Sequence, residues 1–564
     1  MSLYEFLGTI EVGLIFGLVA LGAFLSFRIL DFPDLTVEGS FPLGAAVSAV
    51  LIVSAGWNPW PATVAAAVAG FAAGYVTGYL NVRFNILHIL AGILVAISLY
   101  SINLRIMNGP NKPLLGVKTI FAPLEGWGAP SYELNPILVA IIVVAAKFAL
   151  DLFLATGIGM SMRAAGANPN MAAANGINVG RMKLLGLGMA NALVALSGAL
   201  FAQTFGSADA HMGIGVVIVG LASVIVGTSI LPTRTIAQAT FACLAGALLY
   251  RFAVALALDA DFLPQILRCA ARHGAARGPG LDRPVVALRN GPAAQARSRE
   301  MIALSDIRVT FNAGTPLESP ALRGVDLSVP TGQFLTVIGS NGAGKSTALN
   351  VIAGVIRPDA GRVAADDVEI TSWPPHRRAR LISRVFQDPK MGTCEDLTIL
   401  QNFALARGRT EPRGFRFAID RSLRRQAVER LKLLDLGLEN RLDDKVGLLS
   451  GGQRQAVSLV MATTGSTRVL LLDEHTAALD PKTAEFVMNL TRDIVAELKL
   501  TAVMVTHSMA QALQYGDRTV MFHRGKIVFD VSGAQRAAMD VKDLLDLFRR
   551  DQGEELSDDA LLLS

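Results

Sequence analysis

Charge and cysteine are both scarce in this chain. Asp, Glu, Lys and Arg make up 17% of its 564 residues, against roughly 25% in ordinary soluble proteins. Together with a 52% hydrophobic content, this excludes a disordered chain and an ordinary cytosolic enzyme. The three cysteines, Cys243, Cys269 and Cys394, lie far apart with no CxxC pair, so neither a zinc site nor a disulfide framework is expected. The net charge of +5, from 51 basic and 46 acidic residues, is too small for this length to mark a nucleic-acid binder. The first ten residues hold no Lys or Arg and contain Glu5, whereas a cleavable secretory leader needs a basic start. The first apolar run is therefore expected to be retained as a helix.

The average hides two unlike halves. Residues 1–264 hold 11 basic and 11 acidic residues, leaving 40 and 35 for the remainder. Apolar runs lie near Glu11–Leu30, Phe41–Gly56, Pro61–Leu80, Ile86–Leu104, Pro136–Ala155, Leu184–Phe205, Met212–Leu231 and Ile236–Leu258. Each approaches the ~20 residues that a helix needs to cross the hydrocarbon core. Buried helices of a large soluble domain would be the alternative, but so many charge-free runs in series would expose apolar surface to water. Gly70, Gly74 and Gly78 fall on one helix face and predict close helix packing. Gly213, Gly220 and Gly227 recur at seven-residue spacing in another span and predict the same. Lys147 and Asp151 are spaced to pair on one face. Asn191 and Arg251 are also at membrane depth, where such groups line a path or hold helices together.

The second half carries the chemistry. The apolar strand Gln333–Ile338 runs into Gly339-Ser340-Asn341-Gly342-Ala343-Gly344-Lys345-Ser346-Thr347 and then a helix-forming stretch. This is the phosphate-binding pattern G-x-x-x-x-G-K-S. Its glycines let backbone N–H groups turn inward, and the helix N-terminus adds partial positive charge. Lys345 is expected to reach the β- and γ-phosphates of ATP, and the Ser346 hydroxyl to ligate Mg²⁺. A second apolar strand, Val469–Leu472, ends in Asp473-Glu474. Asp473 is expected to hold Mg²⁺ through water, and Glu474 to polarise the attacking water, since phosphoryl transfer needs positioning and charge compensation.

Between these two lies Leu449-Ser450-Gly451-Gly452-Gln453, and LSGGQ is the signature of the ATP-binding-cassette (ABC) family. The resemblance covers roughly Ile302–Phe548 and implies further roles. Phe311 would stack on adenine. Gln387, in VFQDP, would sense the γ-phosphate and Mg²⁺ and contact the transport domain. Ser450 and Gly452 would cap ATP held by a second cassette, Asp480 would lie at that dimer interface, and His507 would contact the γ-phosphate. The family's usual Glu-Pro is Glu474-His475 in this chain, a departure outside the catalytic atoms. Because the signature faces a partner's phosphates, the resemblance implies a homodimer that closes on ATP and reopens on hydrolysis.

The first half resembles a permease family. Arg163-Ala-Ala-Gly166-Ala-Asn168-Pro169, followed by Asn175–Lys183 with Asn178, looks like the cytoplasmic coupling loop of permeases that serve branched-chain amino acid and ribose importers. Asp31–Phe41 (DFPDLTVEGSF) looks like the branch linked to tryptophan and tyrosine uptake, and EHTAALDPKTA like the ATPases paired with it. A short helix near Asn168–Asn178 would insert into a cassette cleft close to Gln387. The expected fold is an all-α polytopic membrane domain followed by an α/β P-loop ATPase with a helical subdomain. The expected boundaries are a permease over 1–265, a basic Ala/Arg/Gly/Pro-rich linker over 266–300, the ATPase over 301–550, and an acidic tail over 551–564.

The resemblance implies an importer in the cytoplasmic membrane, surrounded by lipid, with its ATPase in the cytoplasm. It would take a small solute, an amino acid, from an extracytoplasmic binding protein. The alternative is an ATP-binding membrane sensor, or a gene fusion that no longer transports. Basic residues at Arg163, Arg181 and Lys183 place that loop inside. Eight crossings then leave the second half outside, away from ATP. The stretch after Pro264 has no apolar run, so a final helix is expected to have been lost where two genes joined.

Overall fold

The computed structural model describes residues 2–124, 130–259, 300–411, 413–544 and 546. The chain forms two compact units, Met1–Ala155 with Gly180–Gln295, and Thr156–Val179 with Ala296–Ser564. The expected linker and tail fall outside the described residues, except for Glu300, which begins a strand.

The first unit is helical. Its elements are α1 (Leu3–Ala23, continued by a π-helical turn Phe24–Ile29), α2 (Val37–Val53), α3 (Pro59–Phe84), α4 (His88–Met107), α5 (Ser131–Ala155), α8 (Val179–Phe205), α9 (Val216–Ile230) and α10 (Ile236–Asp259). A two-stranded ribbon, β1 (Asn111–Pro113) with β2 (Ser207–Asp209), joins two connections. Six of these helices are long and apolar enough to cross a membrane. The other two expected spans form shorter helices, α2 of 17 residues and α9 of 15. The chain enters each through non-helical backbone, at 30–36 and 210–215. Apolar side chains on the lipid-accessible faces, among them Val64, Ile97, Ile141, Phe148 and Leu152, remain exposed, as a membrane protein requires.

The helices approach closely where glycine predicts it. A Cβ at Gly70 or Gly74 would lie 2.4 Å from Asn191 O or 2.1 Å from Leu187 O, so one face of α3 is in backbone contact with α8. Gly213, Gly220 and Gly227 instead meet three different neighbours, Glu38, Val19 and Ala242. Lys147 and Asp151 pair at 2.5 Å, and Asp151 also accepts from Thr240 Oγ1 on α10. Asn191 donates to Asp34 Oδ2 (2.6 Å), while Arg251 lies 4.8 Å over the Phe16 ring. Asp151 and Arg251 thus join one helix to another, whereas Asn191 ties α8 to the non-helical segment 30–36.

Chain direction follows from ring contacts. Phe6 meets Phe252 (5.3 Å) and Tyr4 meets Tyr132 (5.8 Å). The start of α1, the start of α5 and the end of α10 therefore share one face of this unit. The 25-residue α5 carries the chain to the opposite face before Thr156.

The second unit contains α6 (Gly157–Ala167) and α7 (Pro169–Ala174) together with an α/β domain. Strands β3 (Glu300–Phe311), β4 (Ser319–Pro330), β6 (Ala360–Ala365) and β7 (Val368–Glu369) form an antiparallel sheet in the order β4-β3-β6-β7. A six-stranded sheet has the order β12-β11-β5-β10-β9-β8. Its members are β5 (Phe334–Ile338), β8 (Ile382–Val385), β9 (Val469–Asp473), β10 (Thr501–Val505), β11 (Arg518–His523) and β12 (Lys526–Ser532). All of its pairings are parallel except β11–β12. Strands β5, β9 and β10 are buried at every residue, which is why they read as unbroken apolar runs. Side chains from both sheets, including Ile302, Val329, Leu335, Val337, Leu471 and Phe522, share one core. Four helices matter below: α11 (Lys345–Ala353), α12 (Pro375–Arg378), α13 (Gly451–Ala462) and α14 (Pro481–Leu498). Helices Ile399–Arg407, Arg421–Lys432 and α13 make up the helical part.

Candidate active site and coupling surface

The loop 339–344 joins β5 to the N-terminus of α11. Gly339 (φ +144°) and Gly344 (φ +104°) hold conformations that side chains rarely adopt, and a Cβ there would lie 2.3 Å from Phe522 O and 2.7 Å from Ala321 O. The loop thus wraps closely with its amides available to an anion. Lys345 is buried, and its Nζ donates to Gly339 O (2.6 Å) and Ser340 O (2.9 Å), across the loop. Ser346 and Thr347 follow in the first turn of α11.

Three residues singled out as catalytic in the sequence converge. Glu474 opens the turn after β9 in a left-handed conformation (φ +45°), with its N–H on Val505 O. Such a conformation in a non-glycine residue is a local strain typical of functional sites. Glu474 Oε2 accepts from Gln387 Nε2 (3.0 Å), and Oε1 lies 2.7 Å from His507 Nε2. One carboxylate is thereby aimed by an amide from the end of β8 and an imidazole from the end of β10. That is suited to fixing a water for in-line attack.

Asp473 has a side-chain partner that the sequence did not indicate. Its Oδ2 pairs with Arg384 Nη2 at 2.5 Å, and Arg384 Nη1 also donates to Asn350 Oδ1 on α11 (2.7 Å). Arg384 therefore ties the second carboxylate to the phosphate-loop helix, and sequence reasoning missed it. Ser346, Gln387 and Asp473 still offer hydroxyl, amide and carboxylate oxygens, the hard donors that suit Mg²⁺. His475, beside Glu474, is buried, and burial pulls its pKa down to about 4.

The signature residues start a helix. Ser450 caps α13: its Oγ accepts from Gln453 N (3.3 Å) while Gln453 Oε1 accepts from Ser450 N (3.2 Å). This reciprocal capping box exposes the remaining amides of Gly451 and Gly452 at a positive helix end. Leu449 is buried beneath it. Asp480 caps α14 through Thr483 N (3.1 Å). Phe311 is exposed at the end of β3.

The segment Thr156–Val179 packs within the same unit as these groups. It enters by strand-like pairing, with Gly157 N on Arg416 O (3.0 Å) and Ile158 N on Gly414 O (3.3 Å). Asn168 caps α7 through Met171 N, and its Nδ2 donates to Lys390 O (3.0 Å) and Thr393 O (3.1 Å). Asn178 Nδ2 lies 3.4 Å from His376 Nε2. Arg163 is half-buried in α6, and burial lowers its pKa against the opposing pull of Cys394 and Asp396. Gly166 sits in the last turn of α6. Arg413, also missed from sequence, donates to Gly176 O (2.8 Å) and to Asn175 O. A cavity of about 640 Å³ is shared by Asn170 and Ala174 of α7 with Gln387, Arg384 and Asp473. Segment 156–179 and Gln387 thus line one space. Arg378, on α12, donates to Val351 O (2.7 Å) and Ile352 O (2.8 Å) at the C-terminus of α11, and burial pushes its pKa down to about 10.

This assembly defines a nucleotide-hydrolysing cassette attached to a polytopic membrane part. The chain belongs to the ABC transporter family, whose model matches residues 322–477; residues 6–261 match the permease component of branched-chain amino acid transport systems. The cassette is an ATP hydrolase that drives transport, and the chain is a multi-pass membrane protein. Over 227 residues it is 44% identical to the tyrosine transport ATP-binding protein of Clostridioides difficile (strain R20291), covering 40% of this chain and 89% of that protein. Over 256 residues it is 40% identical to the tyrosine transport system permease protein of the same organism, covering 45% of this chain and 83% of that protein. The phosphonates import ATP-binding protein PhnC 1 of Rhodopseudomonas palustris (strain BisB18) is 35% identical over 235 residues, covering 41% of this chain and 84% of that protein. Among solved structures, the dimeric structure of a bacterial ABC transporter cassette is 30% identical, covering 41% of this chain and 98% of that one, with a TM-score of 0.37.

Proposed function

We propose that the chain is an importer for an amino acid, tyrosine or a close aromatic relative, with permease and ATPase fused. The observation that carries this is the pairing: the two halves separately resemble a permease and an ATPase that are both named for tyrosine transport. On this reading it works as a homodimer in the cytoplasmic membrane with its cassettes in the cytoplasm. An extracytoplasmic binding protein delivers the solute.

In the proposed site the backbone of Gly339–Gly344 and the ammonium of Lys345 hold the ATP phosphates, and Phe311 stacks on adenine. Ser346 and Gln387 would hold Mg²⁺, with Asp473 acting through water, and bound there the metal would supply charge compensation for phosphoryl transfer. Glu474 orients the attacking water, while Gln387 and His507 fix its carboxylate. Ser450 and Gly452 of a second copy close over the nucleotide, with Asp480 at the seam. Asn168, Asn178, Arg163 and Gly166 carry the closing motion to the membrane part. The shared cavity that joins α7 to Gln387 supports this. The test is uptake of radiolabelled tyrosine by cells lacking their own uptake system, expressing the chain with its neighbouring binding protein. ATP-dependent accumulation is expected; none for any aromatic amino acid counts against the reading.

A second reading, a fusion that no longer transports, is favoured by one observation. Helix α10 ends on the face where α1 starts, whereas the chain leaves α5 for the coupling segment at the opposite face. A cassette that packs with Thr156–Val179 then requires one further crossing between Asp259 and Glu300. The sequence there carries seven arginines and no apolar run, and each Arg at mid-bilayer costs about 3 kcal/mol. Resequencing the locus separates the readings, since an intact frame in many isolates argues against an accidental fusion.

A further inference from the structure

We infer that the stretch 413–425 of the second unit docks on anionic phospholipid headgroups, at the bilayer face where α5 ends. It would do so whatever solute is moved, independently of the importer reading. The stretch reads RGFRFAIDRSLRR, with five arginines against one acid. Phe415, Phe417 and Ile419 are 77%, 63% and 36% exposed. Aromatic and basic side chains interleaved in this way suit a segment that lies in a membrane interface. Its place follows from the chain. Phe417 pairs with Thr156 in an antiparallel bridge, and Arg416 O accepts from Gly157 N at 3.0 Å. Thr156 is the next residue after the 24-residue apolar span Tyr132–Ala155. Bridged residues sit about 5 Å apart, so covalent geometry alone keeps the stretch near the end of that span. The headgroup layer extends roughly 5–8 Å beyond the hydrocarbon on each side, enough to meet it. Along α5, Ile141, Val144, Phe148 and Leu152 form an exposed apolar stripe, so lipid reaches this helix down to its last turn.

The charge is arranged for an anion from outside. Asp420, the one acid, is engaged: it caps helix Arg421–Lys432 through Leu423 N (2.7 Å) and accepts from Arg407 Nη1 (3.1 Å). Arg413 and Arg424 have partners as well, the first on Gly176 O and the second on Asp443 Oδ1 (2.7 Å). Arg416, Arg421 and Arg425 are exposed, and among the described residues they make no ion pair. Arg421 and Arg425 stand four apart in one helix, a like-charge pair that lowers helix stability. Arg421 also opens that helix, where the macrodipole disfavours a cation. Helix stability therefore does not account for these arginines, whereas a surface of phosphodiester anions does. A guanidinium offers phosphate two parallel N–H donors, and each basic residue held near such a surface adds about fivefold in affinity.

The test uses the full chain in nanodiscs of phosphatidylcholine, alone or in equal mixture with phosphatidylglycerol. An environment-sensitive fluorophore is attached to Phe417→Cys in a background carrying Cys243→Ala, Cys269→Ser and Cys394→Ala. The quencher is a lipid with a doxyl group close to its headgroup. Quenching is expected in the mixed discs and should be much weaker in phosphatidylcholine alone. In the variant Arg416→Gln/Arg421→Gln/Arg425→Gln the ratio of docked to free loop should fall about 100-fold, from three losses of about fivefold each. Leu317→Cys, at a position 76% exposed between β3 and β4, should stay unquenched when labelled in the same way. The unlabelled wild type supplies a second measurement that needs no variant: amides of 413–425 should exchange more slowly in the mixed discs than in phosphatidylcholine. Four results overturn the inference: no quenching at 417 in mixed discs, equal quenching or equal exchange in both discs, a triple variant quenched like its parent, or equal quenching at 317. None of them bears on solute uptake, which tests the importer reading separately.

Discussion

Acidification should destabilise the cassette through one identifiable histidine. His475 follows Glu474, the proposed catalytic carboxylate, is 2% exposed, and contacts Thr491 Oγ1 on α14 at 3.1 Å. Thr491 Oγ1 donates to Val487 O, so it accepts from His475 Nε2, which leaves Nδ1 to receive a second proton in a fully buried position. Burial lowers the pKa from 6.5 to about 4. The unfolded chain therefore takes up a proton near pH 6.5 that the folded chain refuses until about pH 4. The folded state loses none of its stability on this account above pH 6.5, loses it progressively as the pH falls, and loses no more below about pH 4. At 1.36 kcal/mol per pH unit, this amounts to about 3 kcal/mol. Glu474 sits in the turn that would be disrupted, so hydrolysis should fail with the fold. The check is hydrogen exchange of the β9 and α14 amides in full-length protein from pH 7.5 to 4, wild type against His475→Gln. Glutamine keeps an N–H for Thr491 but does not titrate. The stability difference between the two should grow by about 3 kcal/mol on descending this range. Parallel curves would refute the reasoning, since all other titrating groups are common to both proteins.

Three further outcomes follow from the geometry. Glu474→Gln should lower ATP turnover by about 100-fold or more while nucleotide affinity, read with a fluorescent ATP analogue, stays near wild type; brisk hydrolysis would contradict the assigned role. Arg413→Ala removes the donors to Gly176 O and Asn175 O, so amides of residues 157–179 should exchange faster and solute uptake should fall more than ATPase activity; unchanged exchange rules out Arg413 as the clamp. Gly74→Leu, whose Cβ would lie 2.1 Å from Leu187 O, should abolish monodisperse protein in size-exclusion chromatography, whereas Gly8→Ala, with open space around it, should leave the profile unchanged.

The parts legible in the sequence are those whose chemistry is contiguous. The phosphate loop, the signature and the strand-end Asp473-Glu474 each occupy a few successive residues, and buried parallel strands announce themselves as unbroken apolar runs. The eight apolar runs were equally plain, because lipid leaves no choice of side chain. Their lengths were not. Hydropathy does not distinguish a helix that spans from a 15-residue helix entered through a series of turns, and the short helices α2 and α9 meet at Glu38 and Gly213. Two arginines that organise the sites, Arg384 and Arg413, escaped for the same reason. Arg384 reaches Asp473 across 89 residues, and Arg413 reaches Gly176 across 237. Nothing in R-V-F-Q or E-P-R-G marks either as a clamp.

Those long-range contacts also arrange the machine in a way the motifs alone do not. Gln387 touches Glu474 and lines the cavity beneath α7, the route that the motif itself suggests. A second route bypasses it. His376 faces Asn178 of the coupling segment, and two residues on, Arg378 grips the last carbonyls of α11, the helix that begins at Lys345. Helix α12 is only four residues long, so a shift at one end cannot be absorbed before it reaches the other. Removal of Arg378 would leave four carbonyls, of Val351, Ile352, Thr371 and Trp373, short of a donor, which keeps the short helix from rotating freely. On the proposed mechanism, movement of segment 156–179 would bear on both ends of the reaction: on the Glu474 carboxylate, through Gln387, and on the helix that follows the phosphate loop, through α12. On that reading, the Glu474 carboxylate and α11 would move together whenever segment 156–179 moves.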